Sequence, residues 1–103
     1  MRNDRVLRLL RDALGETYGD RLSRVVLFGS RARGDARDDS DYDVAVFLRD
    51  LTDRWKEADR ISDIATEVMD ETGAFVHAMP YRAGSDGERT PLMNEIRLEG
   101  RDL

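Results

Sequence analysis

"GSRARGDARDDSDYD", residues Gly29 to Asp43, places a Gly-Ser pair, two nearby arginines and a closing Asp-Tyr-Asp within fifteen positions. A solvated loop would be the plain reading, but both flanks are apolar. Upstream, "SRVVLF" is a β-branched and aromatic run stopped by Gly29, the pattern of a buried strand entering a sharp turn, and we place strand one at Arg24 to Phe28. Downstream, "DYDVAVFL" reads as a second strand. Side chains alternate along a strand, so Asp41, Asp43, Ala45 and Phe47 share one face and Tyr42 turns to the opposite, core-packing face.

Two carboxylates at i and i+2 on one strand face project in parallel and can share a hard divalent cation, Mg²⁺ being the expected ion. Left unpaired they would repel and raise each other's proton affinity. Gly29 and Ser30 supply a second element: glycine lets backbone approach a ligand closely, and N–H groups at a turn into a helix favour anions. Arg31 and Arg33 follow within reach as candidate phosphate contacts. An isolated D-x-D is more often an ordinary strand start than a metal site. What points to chemistry is the conjunction of strand, Gly-Ser, ten intervening residues and a D-x-D opening a second strand. The acids Asp35, Asp38 and Asp39 read as a solvated loop able to close over metal and nucleotide.

Around this centre, Val6, Leu7, Leu10, Ala13 and Leu14 recur at helical spacing, predicting a first amphipathic helix from Asn3 to about Tyr18. After strand two, Thr52 or Asp53 can cap a long helix with Ala58, Ile61, Ala65, Val68 and Met69 as its apolar stripe and Gly73 at its end. "AFVHAMPY" predicts a third strand stopped by Pro80, followed by a polar loop, "RAGSDGERT", expected to be the most mobile segment. "PLMNEIRLEGRDL" predicts a closing helix with Pro91 in its first turn and Leu92, Ile96 and Leu98 as contacts. Trp55, early in the long helix, fits either the core or a partner surface.

The chain has 103 residues, 40% hydrophobic and 38% charged, which predicts one small domain, 1–103, with a modest core. A net charge of -5 argues against a general nucleic-acid binder, which would show a basic face. There is no cysteine, which excludes disulfides and thiolate metal sites and suits a reducing compartment, the cytoplasm by default. No apolar run approaches the roughly 20 residues of a membrane helix. The arginines Arg5 and Arg8 interrupt the first apolar run, which reads as a helix rather than a signal peptide.

The G-S, ten residues, D-x-D pattern, with Ser40 before the acidic pair, resembles the signature of the DNA polymerase beta-like nucleotidyltransferase superfamily, and its smallest members, the minimal nucleotidyltransferases (MNT), above all. The resemblance covers most of the chain through its element order and its ending. It implies the polymerase beta-like nucleotidyltransferase fold, an α/β (α+β) arrangement with a small mixed β-sheet flanked by helices. It also implies Mg²⁺-dependent transfer of AMP from ATP to an acceptor, with Gly29 and Ser30 holding the triphosphate and Asp41 and Asp43 binding the metal. Stand-alone members resemble antitoxins of MNT/HEPN pairs, which implies a HEPN ribonuclease toxin as partner, one of its tyrosines as acceptor, and a hetero-complex, with self-association left open.

The superfamily commonly adds a third carboxylate from a later strand, and "AFVHAMPY" has none. His77, which shares a face with Phe75 and Met79, is the polar candidate there. Three outcomes stay open: two carboxylates suffice, His77 acts as general base, or catalysis is lost and the chain neutralises its partner by binding alone. A small-molecule nucleotidyltransferase would need an acceptor domain for which this chain has no room, and an acidic helical adaptor would bind no ATP.

Overall fold

The computed structural model describes residues 4–103. Its elements are α1 (Arg5–Tyr18), β1 (Leu22–Phe28), α2 (Ser30–Arg33), β2 (Tyr42–Leu48), α3 (Arg54–Thr72), β3 (Val76–Arg82), α4 (Pro91–Glu99) and β4 (Arg101–Asp102). The four strands form one mixed sheet in the order β3-β2-β1-β4. β1 runs antiparallel to β2 and β4, while β2 and β3 are parallel. The expected α/β class with a small mixed sheet is what the chain adopts.

Alternation decides which residues each layer receives. Val25, Leu27, Tyr42, Val44, Val46, Leu48 and Ala78 face α1 and α3, joining Leu10, Leu14, Ile61 and Val68 in the larger core cluster. The other parity, Val26, Ala45 and Phe47, packs under Met93 and Ile96 of α4. Asp43 belongs to this second face, two residues before Ala45. Caps fix the helix starts. Asp4 accepts from the N–H groups of Val6 and Leu7, Asp53 from Lys56, and Thr90 from Met93 with Pro91 directly after it. The expected start of the first helix at Asn3 lies outside the described residues.

Several expectations need correction. Pro80 does not stop the third strand, which continues to Arg82. The Phe75 carbonyl accepts from Tyr42 N–H at 2.9 Å and the Ala83 N–H reaches the Leu48 carbonyl at 2.9 Å, so odd residues of β3 bond toward β2. Pro80, an even residue, turns its missing donor to the free sheet edge, where no ladder bond is lost. Strand one also begins earlier, at Leu22.

The closing segment is not all helix. α4 ends at Glu99, and β4 then pairs with Val26 and Leu27. A side chain at Gly100 would collide with the Ile96 carbonyl oxygen and Val26 Cγ1, so glycine is what lets the chain double back onto β1. Leu98, expected as a contact, is 85% exposed, while Met93 is buried in its stead.

In α3 the buried residues are Glu57, Ile61, Ile64 and Val68, so the apolar stripe is centred one position away from the expected Ala58, Ala65 and Met69. The polar loop is pinned. Arg24 Nη1 pairs with Asp86 at 2.7 Å, and Arg97 donates to the carbonyls of Asp86 and Glu88. Among the described residues no helix is long and apolar enough to cross a membrane.

Candidate active site at the Gly29–Asp43 junction

β1 ends at Phe28 directly opposite Asp43 of β2. Gly29 then takes φ 75°, ψ -158°, a conformation open essentially to glycine alone, and throws the chain into the single helical turn of α2. The Gly29 carbonyl receives the N–H groups of Ala32 and Arg33. The N–H groups of Ser30 and Arg31, at the start of that turn, have no acceptor among the described residues. A Cβ on Gly29 would lie 2.5 Å from Asp43 Oδ2. The turn therefore presses its backbone against the carboxylate, and glycine is needed for both space and backbone angle.

The connection to the second strand is held from within. Ser40 Oγ accepts from Arg37 N–H at 2.9 Å, and the Ser40 N–H returns to the Arg37 carbonyl at 3.0 Å, closing a turn immediately before Asp41. Arg31 Nη2 donates to the carbonyls of Ser40 at 2.9 Å and Asp38 at 3.2 Å, and Arg31 Nε adds a bond of 3.2 Å to Ser40. Its guanidinium lies 4.2 Å from the centre of the Tyr42 ring. Tyr42 is buried on the far face, as expected, and its hydroxyl donates to Asp4 Oδ2 at 3.0 Å.

Arg31, expected as a phosphate contact, is thus engaged in tying the loop to β2. Arg33 Nη1 pairs with Glu99 at 3.1 Å, and Arg33 Nε with Asp35 at 3.2 Å, drawing it toward α4. Asp35, Asp38 and Asp39 are exposed, as expected of a solvated loop.

Asp41 precedes β2 and is exposed, whereas Asp43 lies within it and is half-buried. The proton affinity of Asp43 is raised above the ordinary carboxylate value, first by burial, with the neighbouring Asp41 charge adding to the rise and His77 and Arg33 opposing it. On the other side, β3 pairs His77 in register with Asp43, and His77 Nδ1 lies 3.9 Å from Asp43 Oδ1. The His77 side chain is 70% exposed, so it is neither a core histidine nor a buried one. It stands on β3, a strand that carries no acid. The site thus reads across the sheet as His77, the Asp41 and Asp43 pair, and the Gly29-Ser30 turn.

Residues 15–86 match the family described as Polymerase beta, Nucleotidyltransferase. This chain belongs to that nucleotidyltransferase family. The matched span contains the Gly-Ser turn, both aspartates and His77. Two proteins of Methanocaldococcus jannaschii that carry the provisional name protein adenylyltransferase are similar. One is 45% identical over 81 residues, covering 79% of this chain and 78% of its own, and the other is 28% identical over 79 residues, covering 77% and 73%.

Among solved structures, a toxin-antitoxin crystal structure with AMP-PNP aligns with a TM-score of 0.62 at 23% identity, covering 99% of this chain and 72% of the other. A complex of a tri-AMPylated Shewanella oneidensis HEPN toxin with its MNT antitoxin aligns at 0.53 and 22% identity, covering 95% and 65%. At these identities the structures show that the nucleotidyltransferase fold is shared.

Phe75 is the residue that sequence patterning undervalued. Its pattern shows only a companion of His77 and Met79 on one strand face, but its carbonyl takes the Tyr42 N–H between the two aspartates and the residue is 65% exposed.

Proposed function

We propose that this nucleotidyltransferase transfers AMP from ATP, with Mg²⁺, to a tyrosine of a HEPN-family toxin and so acts as its antitoxin in the cytoplasm, where ATP is available. The observation that carries the reading is the Asp43 carboxylate, held with one oxygen against the Gly29 turn and the other toward His77, with the Asp41 charge beside it.

The donor set fits a hard divalent cation. Asp41 and Asp43 offer carboxylate oxygens, and among the described residues no group of three or more His, Cys, Asp or Glu residues forms a closed cage. Mg²⁺ suits such an open pair because it retains water and takes further ligands from phosphate oxygens. When bound, it would neutralise phosphate charge.

The rest falls to the chain's own groups. The N–H groups of Ser30 and Arg31, with the Ser30 hydroxyl, suit the outer phosphates, while Arg33 remains near enough to Asp43 to lower its proton affinity. The acceptor oxygen attacks the α-phosphorus, the bond to the β-phosphate oxygen breaks, and pyrophosphate leaves on the Gly29-Ser30 side. The acceptor's proton passes to His77, whose exposed imidazole stands beside the Asp43 carboxylate.

The test is incubation of the chain with a HEPN partner, α-labelled ATP and Mg²⁺. Label on a partner tyrosine, abolished by Asp43→Asn, supports the reading; intact binding without label from the wild type overturns it. The absence of an acid from β3 favours one rival, a catalytically weak module that silences its partner by binding alone. Stoichiometric inhibition without label transfer is its signature.

A further inference from the structure

Phe75 lies just before β3, and its carbonyl accepts the Tyr42 N–H at 2.9 Å. The parallel register sets Tyr42 against Val76 and Asp43 against His77, so Phe75 and Asp41 each lie one residue ahead of the first register pair. By alternation both side chains share the sheet face of Tyr81, but at the opposite end of β3 from the place where Tyr81 packs against the Met93 and Ile96 cluster. Phe75 is 65% exposed and His77 70%. Lone exposed apolar residues are ordinary. What distinguishes this one is its side of the site.

Phosphoryl and nucleotidyl transfers proceed with attacking and leaving oxygens roughly in line. The Gly29-Ser30 turn lies on the β1 side of Asp43 and would receive the leaving pyrophosphate. The attacking group must then arrive from the opposite side, over β3, where Phe75 and His77 stand.

We propose that Phe75 is the acceptor platform of this enzyme, a specificity-determining residue whose ring packs against a planar phenol and directs its hydroxyl toward His77 and Asp43. The inference rests on the transferase reading and adds to it the residue that selects an aromatic hydroxyl over an aliphatic one. An offset-stacked or edge-to-face aromatic pair accounts for a preference of roughly tenfold.

The test has a binding arm and a kinetic arm. N-acetyl-tyrosinamide and N-acetyl-serinamide are titrated into wild type, Asp43→Asn, Phe75→Ala and Phe75→Trp while the ring signals of residue 75 and His77 are followed by NMR. The tyrosine compound is expected to shift them in wild type and Asp43→Asn, and in Phe75→Trp, while the serine compound does not. Loss of the His77 shift in Phe75→Ala supports the platform. Equal shifts with both compounds, no shift in the wild type, or an unchanged His77 shift in Phe75→Ala overturns it.

In label transfer to the HEPN partner, Phe75→Ala is expected to raise KM for the partner about tenfold at unchanged KM for ATP, with rescue by Phe75→Trp. A raised KM for ATP would place the nucleobase on Phe75 and overturn the proposal. Absence of transfer by wild type, with the tyrosine-dependent shifts present, would refute the transferase reading while leaving the platform standing.

Discussion

Asp43 and His77 are register partners on adjacent parallel strands, with His77 Nδ1 3.9 Å from Asp43 Oδ1. The separation is longer than a hydrogen bond, so the imidazole is free to exchange a proton with an incoming hydroxyl while its charge state is felt by the carboxylate. We expect His77→Ala to lower kcat by about 10²-fold, within the range of a lost general base. Unchanged turnover would remove His77 from the reaction.

Gly29→Ala is expected to destabilise the fold by about 1–3 kcal/mol, because its backbone conformation is open essentially to glycine. The new methyl would also lie 2.5 Å from Asp43 Oδ2 and displace it. Activity should therefore fall to background even at temperatures where circular dichroism shows a folded chain. Retained activity would mean that the turn and the carboxylate need not touch.

Arg31 separates two roles by a conservative change. A phosphate contact would survive partly as Arg31→Lys, with a raised KM for ATP. The observed bonds to the Asp38 and Ser40 carbonyls and the stacking on Tyr42 need the planar fork that lysine lacks. We expect Arg31→Lys and Arg31→Ala to lose activity equally, with faster amide hydrogen exchange across residues 38–41 in both.

Glu57 is buried on α3, where its carboxylate pairs with Arg21 at 2.7 Å and accepts from the Tyr18 hydroxyl at 3.3 Å. Glu57→Ala leaves the buried phenol without its acceptor and should cost roughly 1–3 kcal/mol, measured by urea unfolding. Burial, followed by the Glu57 charge, pushes the Tyr18 hydroxyl up to about 12 from an ordinary 10.0.

The folded state therefore keeps a proton that the unfolded chain releases. The Tyr18 contribution is complete below pH 10 and is lost as pH rises toward 12. Tyr42 and Tyr81 are raised as well, both mainly by burial, so phenolate absorbance and unfolding should rise together on the alkaline side. Tyr18→Phe should weaken that dependence.

What the linear chain determined by itself is local. Alternation sent Asp43 to one sheet face and Tyr42 to the other, and Asp53 and Pro91 marked helix starts because caps act over three or four residues. Gly29 announced the turn. The central spacing likewise identified the nucleotidyltransferase family, since strand, turn and acidic pair are near neighbours in sequence.

Tertiary structure alone decided what depends on partners far along the chain. Strand order put β3 on the edge, where Pro80 is harmless, and the parallel register delivered His77 and Phe75 to the acidic pair across more than thirty intervening residues. The loop carbonyls and α4 took up the two arginines whose position after the Gly-Ser turn had suggested phosphate. Hydrophobic periodicity reports which face a residue takes, but pairing depends on which elements meet, and that is set by the collective burial of the two faces of the sheet.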